Sequence, residues 1–422
     1  MPSRKTVAIV CTLDTKHLHA SLLKEAIEKR GHAVLIVDTG LRAGGPLTAD
    51  VPRERVATAA GIDPASLANT VDRGETLTAM ARGATSILTD LQRKGEVHGV
   101  LGIGGGSGTA VASAVMRALP YGVPKLLVST MAGRDVARYV GTRDIVMLPS
   151  ITDIMGMNPL LERILRNAAG AMVGMLDVPD EPQRAHDGSA SPVVAITAFG
   201  TTTRAVLRCN EILEAAGMKT MIFHANGTGG RAMEELVGLG EIDAVLDLTT
   251  TELADELCGG VLSAGPARLE AAGARGIPQL VLPGAIDMVN FGPPSTLPPK
   301  YADRHFHRHN PGTTVMRTTR EENETLGRWV GEKLARATGP TVLLLPLRGF
   351  SEYDRDGGVF RDPEADQAFH DAAVRAIHGA HPVLEIDANI NDPACAEKAA
   401  GLLIEMVRQM PSAREGSSGA GI

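Results

Sequence analysis

At 422 residues and 44% hydrophobic content, the chain is too long for one ordinary core, and it predicts two domains. A net charge of −7 without any run of Lys and Arg excludes a basic nucleic-acid surface, and no apolar segment reaches membrane-spanning length. Four widely spaced cysteines (Cys11, Cys209, Cys258, Cys395) form no C-x-x-C pair and the opening MPSRKTVAIVCTLDTK has no signal-peptide pattern, so a reducing, cytoplasmic location is expected.

The predicted elements alternate from the start. TVAIVCT reads as a strand, KHLHASLLKEAIEKRG as a helix and AVLIVDTG as the next strand. VHGVLGIG then leads into TAVASAVMRALP and PKLLVST. Runs apolar on both faces between helical periods predict a buried parallel sheet. Residues 40–70 break this rhythm and read as an irregular excursion; a long helix from about Asp153 to Met175 closes the half. DVPDEPQRAHDGSASP has the composition of a linker, after which VVAITAFG, MKTMIFHANGTGG, IDAVLDLTTTELADEL, PQLVLPGAIDM, TVLLLPLRG and PVLEIDANIND resume the alternation. The expected fold class is therefore α/β, with two Rossmann-like doubly wound domains and mainly parallel sheets. Residues 1–180 form the nucleotide-binding domain, 181–191 the linker, 192–411 the second domain and 412–422 a disordered tail.

The stretch LGIGGGSGTAVASAVMRAL places five glycines between Gly102 and Gly108, where a strand gives way to a helix. Bare N–H groups at a helix N-terminus suit an anion, most often phosphate. A Walker A loop needs Lys where this chain has Thr109, and the dinucleotide fingerprint needs Gly where it has Ser107. An anion cradle of another make is expected, with N–H groups of Gly104, Gly105, Gly106, Ser107, Gly108 and Thr109 around phosphate. Gly106 is expected where backbone approaches the ligand closely or at φ > 0. At the same sheet edge, Asp14, Thr15 and Lys16 of CTLDTK follow the first strand, while Ser129 and Thr130 end PKLLVST. Lys16 suits phosphate; Asp14 suits a metal or a ribose hydroxyl, or it simply caps a helix. Asp38 ends the second strand but follows a turn without glycine, which disfavours an ordinary NAD site.

In the second half, FHANGTGGRAM has His224 at a strand end beside another glycine loop, a candidate general acid or base. Glu252 and Asp255 share a helix face, Asn290 follows a strand-like run, and Arg348 ends TVLLLPLRG, where it is placed to clamp a carboxylate or phosphate. His305, His307 and His309 alternate in RHFHRHN, a pattern that on a strand puts all three on one face. Arg304 and Arg308 oppose a metal there, and the metal ligands stay unassigned.

CTLDTK, GIGGGSGT, VPKLLVST, YVGTRDI, FHANGTGGRAMEEL, LDLTTTELADEL, GAIDMVNFGPP, HNPGTTVMRTT and GPTVLLLPLRG together resemble a family of ATP-binding domains. That family includes the amino-terminal inhibitory domain of the tomato mosaic virus resistance protein, and the resemblance runs from about Lys5 to Met410. It implies two Rossmann-like subdomains, ATP bound to the first through the LDTK and GGGSGT positions, and a homodimer. The expectation is an ATP-binding enzyme of small-molecule metabolism, using Mg²⁺ for phosphoryl transfer or ligation at a cleft between two domains. His224, Glu252, Asn290 and Arg348 would face an unidentified small-molecule substrate. The alternatives are a nucleotide-sensing or partner-binding module without turnover, or an enzyme acting on a phosphorylated metabolite without ATP.

Overall fold

The computed structural model describes residues 4–69, 72–179 and 191–410, and the chain divides into two compact units, Met1–Glu181 and Pro182–Ile422. The stretch expected to be a linker and the expected disordered tail lie, but for Ser191, outside the described residues.

The first unit is built on five strands: β1 (Thr6–Cys11), β2 (Ala33–Asp38), β3 (Gly99–Gly104), β4 (Lys125–Ser129) and β5 (Val146–Pro149). They pair in the order β2-β1-β3-β4-β5, all parallel. Every residue of β3 and β4 is buried, as central strands covered on both faces require. Helices Leu13–Glu28 and Pro159–Asp177 cover one face, while Arg73–Arg93 and Gly106–Ala118 cover the other. The closing helix starts at Pro159, later than expected, because Asn158 caps it and accepts from the Leu161 N–H. Residues 40–70 hold a short helix, Arg53–Ala59, that packs on Arg73–Arg93, so the excursion is partly ordered into the core.

The second unit repeats the plan with one strand more. β6 (Val193–Ala198), β7 (Lys219–His224), β8 (Ala244–Thr249) and β9 (Gln279–Gly284) are followed, after an insertion, by β13 (Thr341–Pro346) and β14 (Val383–Ile386). The sheet order is β14-β13-β9-β8-β6-β7, again all parallel. In each unit the helix after the first strand pairs with the last helix of the unit on one face: Thr203–Ala215 with Pro393–Arg408 here. The insertion holds β10 (Met288–Phe291), β11 (Phe306–Asn310) and β12 (Thr313–Arg317), an antiparallel sheet of order β10-β12-β11. The sequence marks only two parts of it, the end of the run PQLVLPGAIDM and the histidine alternation of RHFHRHN. Pro283 and Gly284 close β9 before Met288 opens β10, a division that hydrophobicity alone does not mark.

Helices Arg320–Ala335 and Pro363–Ile377 approach closely at two glycines, since a Cβ on Gly327 would stand 2.2 Å from the Phe369 carbonyl oxygen and one on Gly331 2.6 Å from that of Ala373. Gly401, on helix Pro393–Arg408, has no atom within 4 Å of its Cβ position. Gly327→Ala is expected to destabilise the second unit by about 1–3 kcal/mol through overpacking. Gly401→Ala is expected to stabilise it by about 0.5–1 kcal/mol through reduced backbone entropy. Calorimetric melting of both variants checks the opposite signs.

Candidate functional site

In a doubly wound sheet, ligands gather beyond the carboxyl ends of the strands where the order reverses. In the first unit that point lies between β1 and β3, whose following helices leave toward opposite faces. A cavity of about 210 Å³ opens there, lined by Thr12, Asp14, Thr15, Lys16, Arg73 and Gly104 to Gly108 among others. Thus LDTK and the glycine loop, 90 residues apart in the chain as β1 and β3 are, form one site. Helix Gly106–Ala118 begins there without a side-chain cap, so its first N–H groups are open to an anion, whereas the Leu13 N–H that opens the other helix is already held by Asp38 at 3.0 Å. Lys16 and Arg73 stand against the single carboxylate Asp14, and Lys16 has no ion-pair partner among the described residues.

The five glycines differ in what surrounds them, and a Cβ on Gly108 would stand 3.2 Å from the Ile103 carbonyl oxygen, a tight but not forbidden contact. A Cβ on Gly102 would meet Ala112 Cβ at 2.6 Å, and one on Gly104 would meet Gly108 Cα at 2.7 Å, so these serve close packing of strand on helix. At Gly105 the nearest atom is 3.7 Å away, and at Gly106 nothing lies within 4 Å. Gly106 is also absent from the positive-φ residues, so neither strain nor crowding in the protein demands glycine there. The backbone at these two positions is bare toward the cavity.

The second unit has a larger cavity, about 430 Å³, at the ends of β6 and β7 and against the inserted sheet. His224 Nδ1 lies 3.1 Å from the Ala198 carbonyl, which only accepts, so Nδ1 carries the proton and Nε2 is the free lone pair of the neutral ring. Phe199 stacks on this ring at 5.4 Å. Opposite it in sequence, His309 Nδ1 is 2.7 Å from the Tyr353 hydroxyl. Asn290 is fully buried behind the wall, with Nδ2 donating to Asp255 Oδ2 at 2.8 Å and its N–H directed at the same carboxylate. Burial pushes the Asp255 carboxyl up to about 7.

Residues 5–181 match the Uncharacterised protein family (UPF0261) N-terminal domain, and residues 191–407 match its C-terminal domain. The chain belongs to the UPF0261 family. It is 41% identical over 406 residues to a UPF0261 protein of Clostridium tetani, covering 96% of this chain and all of the relative. It is 40% identical over 294 residues to the ToMV resistance protein Tm-1(GCR237) of Solanum lycopersicum, covering 69% of this chain and 39% of the tomato protein. Among solved structures, a UDP-N-acetylglucosamine 2-epimerase from Rickettsia bellii aligns with 66% of this chain and 78% of its own, at 13% identity and a TM-score of 0.22, too low to carry an argument.

Several residues of this UPF0261 chain sit differently from their expected roles. Glu252 is fully buried and is itself the anion of the second glycine loop: its Oε1 accepts from the Gly227 N–H at 2.6 Å and the Gly230 N–H at 3.1 Å. Its Oε2 pairs with Arg268 Nε at 2.6 Å. That arginine, also buried, holds Asp247 in a two-pronged contact and reaches Glu234 at 3.2 Å. Burial works against its charge, yet Asp247 and Glu252 hold its pKa far above the usual range. Glu252 is thus buried among its own donors and does not line the His224 cavity. Arg348 is exposed, paired in parallel with Asp387 at 2.7 and 2.8 Å, and does not line the His224 cavity. Thr109 and Ser129 are buried with their hydroxyls 2.6 Å apart, which ties the glycine-loop helix to β4, and neither lines the Lys16 cavity. Ser129 and Thr130 line a separate cavity with Ser150 and Asp153. Asp38 Oδ1 accepts from the Leu13 and Gly40 N–H groups at 3.0 and 2.8 Å, and Asp38 does not line the Lys16 cavity.

The alternating histidines do share a face, but it is an aromatic one. His305 meets Phe360 edge-on at 5.2 Å, and His307 meets Tyr353 at 4.9 Å. Among the described residues no group of three His, Cys, Asp or Glu is placed to hold a metal ion. All four cysteines are buried and unpaired, and burial raises their thiol pKa values, to about 12 at Cys209, Cys258 and Cys395. Arg73, Thr201 and Tyr353 belong to the cavities and were missed as site residues. Arg73 opens a helix with no visible link to the glycine loop, and Tyr353 lies 129 positions beyond His224.

Arg268→Met strips two buried carboxylates, Asp247 and Glu252, and the half-buried Glu234 of their shared cation. It is expected to destabilise the second unit by about 3–5 kcal/mol, whereas Arg348→Ala is expected to leave its melting unchanged. Denaturant unfolding followed by circular dichroism checks the contrast.

Proposed function

We propose that this chain is an ATP-binding enzyme of small-molecule metabolism, with the nucleotide on the first unit and the second reactant in the His224 cavity. The observation that carries the reading is the Lys16 cavity, where the uncapped start of helix Gly106–Ala118, a lysine without an ion-pair partner among the described residues and the bare Gly105–Gly106 backbone converge. The triphosphate would lie on Gly105, Gly106 and Ser107 with Lys16 and Arg73 against its oxygens. Asp14 fits Mg²⁺, which needs only one or two carboxylates beside phosphate oxygens. The resemblance to ATP-binding domains supports the same nucleotide and a homodimer.

A nucleotide sensor without turnover is the second reading. A second anion cradle no longer speaks against it, because Glu252 fills that cradle from within. The cavity beside His224 still favours an enzyme, since a sensor of nucleotide alone has no use for it.

Calorimetric titration with ATP, ADP and NAD, with and without Mg²⁺, tests the proposal; tight NAD binding without ATP binding would sink it. Gly106→Val is expected to keep the fold, because its side chain projects into open space. It is expected to weaken ATP by roughly ten- to hundredfold or more, as lost charge-assisted hydrogen bonds imply. Lys16→Ala is expected to weaken ATP more than adenosine, since an ammonium rewards only the phosphates. A folded Gly106→Val chain with parental ATP affinity would leave the glycines to packing alone.

A further inference from the structure

Two residues that line the second cavity, Asn290 and Thr201, each carry a buried side-chain oxygen, Oδ1 and Oγ1, with no hydrogen-bond partner in the protein. Such atoms destabilise a fold unless something else satisfies them. The Asn290 amide cannot turn over to hide its oxygen, because Nδ2 is held by the Asp255 carboxylate at 2.8 Å and by Thr251 Oγ1 at 3.3 Å. Its Oδ1 is therefore a fixed acceptor. His224 Nε2 is a second acceptor on the same cavity, fixed by the Nδ1 bond to Ala198. The cavity asks for donors.

The charge of the ligand follows from the lining. No Lys, Arg, Asp or Glu is among the residues that line the cavity. An anion would find no cation and would have Asp255 directly behind Asn290. A cation would find no carboxylate at the surface of the cavity. Phe199, Phe291 and Tyr353 supply apolar walls, and the volume falls within the range of about 300–1,000 Å³ usual for small-molecule pockets.

We propose that this cavity binds an uncharged, hydroxyl-bearing small molecule, whose O–H groups donate to Asn290 Oδ1 and His224 Nε2 and meet Thr201 Oγ1, while its carbon faces rest on the aromatic rings. The inference rests on the reading of the second unit as the substrate side of an enzyme, and it narrows that substrate to an alcohol or polyol. A phosphorylated or carboxylated reactant is set aside for this cavity.

The test uses the full chain, with D-ribose and myo-inositol as uncharged probes and D-glycerate and inorganic phosphate as anionic ones. Binding is read by calorimetry and by the side-chain ¹H–¹⁵N signals of His224. At least one uncharged probe is expected to bind with an affinity insensitive to salt and to shift the His224 Nε2 signal. Thr201→Val is nearly isosteric and removes an atom that makes no bond in the protein, so its melting point is expected to hold. Its affinity for the polyol is expected to fall by roughly tenfold, one hydrogen bond's worth, with ATP affinity unchanged. Two results overturn the inference: anions that shift His224 while both polyols leave it unmoved, or a Thr201→Val chain that binds the polyol as the parent does. Titrations run with and without ATP separate this inference from the nucleotide reading. Polyol binding by a chain that ignores ATP removes only the nucleotide, and ATP binding by a chain inert to both polyols removes only the polyol.

Discussion

One buried arginine organises the carboxyl edge of the second sheet. Arg268 gathers Asp247 from β8, Glu252 from the helix after β8 and Glu234 from the helix after β7. Three carboxylates on one cation would leave excess negative charge in a place without water, which is costly unless other donors share it. The backbone supplies them. Gly227 and Gly230 donate to Glu252, Leu269 and Ala271 to Glu234, and the Thr197 hydroxyl to Asp247. The Gly227 bond fixes the loop that carries Asn226, a wall of the larger cavity. Gly230 can be nothing larger, because a Cβ there would stand 2.1 Å from Glu252.

The two units share a strand order and use its reversal point differently. Beyond β1 and β3 the loops part, and the cavity between them presents backbone N–H groups and a lysine. Beyond β6 and β8 the corresponding loops are stitched together. Thr202 and Thr249 hydroxyls lie 2.8 Å apart, and the Thr249 N–H donates to Thr197 Oγ1 at 2.9 Å. The second cavity is displaced toward β7 and the inserted sheet, away from the crevice that topology alone would nominate.

Much of this was legible in the chain. Apolar runs of parallel-sheet character located most of the strands of both sheets, and glycine-rich strand ends pointed to the Lys16 cavity. His224, which lines the larger cavity, was visible because a polar residue at a strand end breaks an apolar run, and Asn290 because it interrupts one. Glu252 and Arg348 misled for the same reason: sequence shows that a charged residue ends a strand, but not whether a partner consumes it. The partners, Arg268 and Asp387, stand 16 and 39 positions away, at separations no local pattern marks. The histidine alternation correctly indicated one face of a strand, while the aromatic rings it packs on come from residues 353 and 360.

The inserted antiparallel sheet sits wholly within the connection from β9 to β13, two strands that pair directly with each other. The parallel sheet is therefore continuous without it. Yet Met288, Asn290, Phe291, His309, Thr313 and Val315, much of the cavity's lining, belong to that insertion. Much of the cavity's lining is thus supplied by a module hung on the scaffold. Relatives with the same six-stranded frame can diverge in what they admit by exchanging side chains along β10, β11 and β12, without disturbing any strand pairing of the parallel sheet.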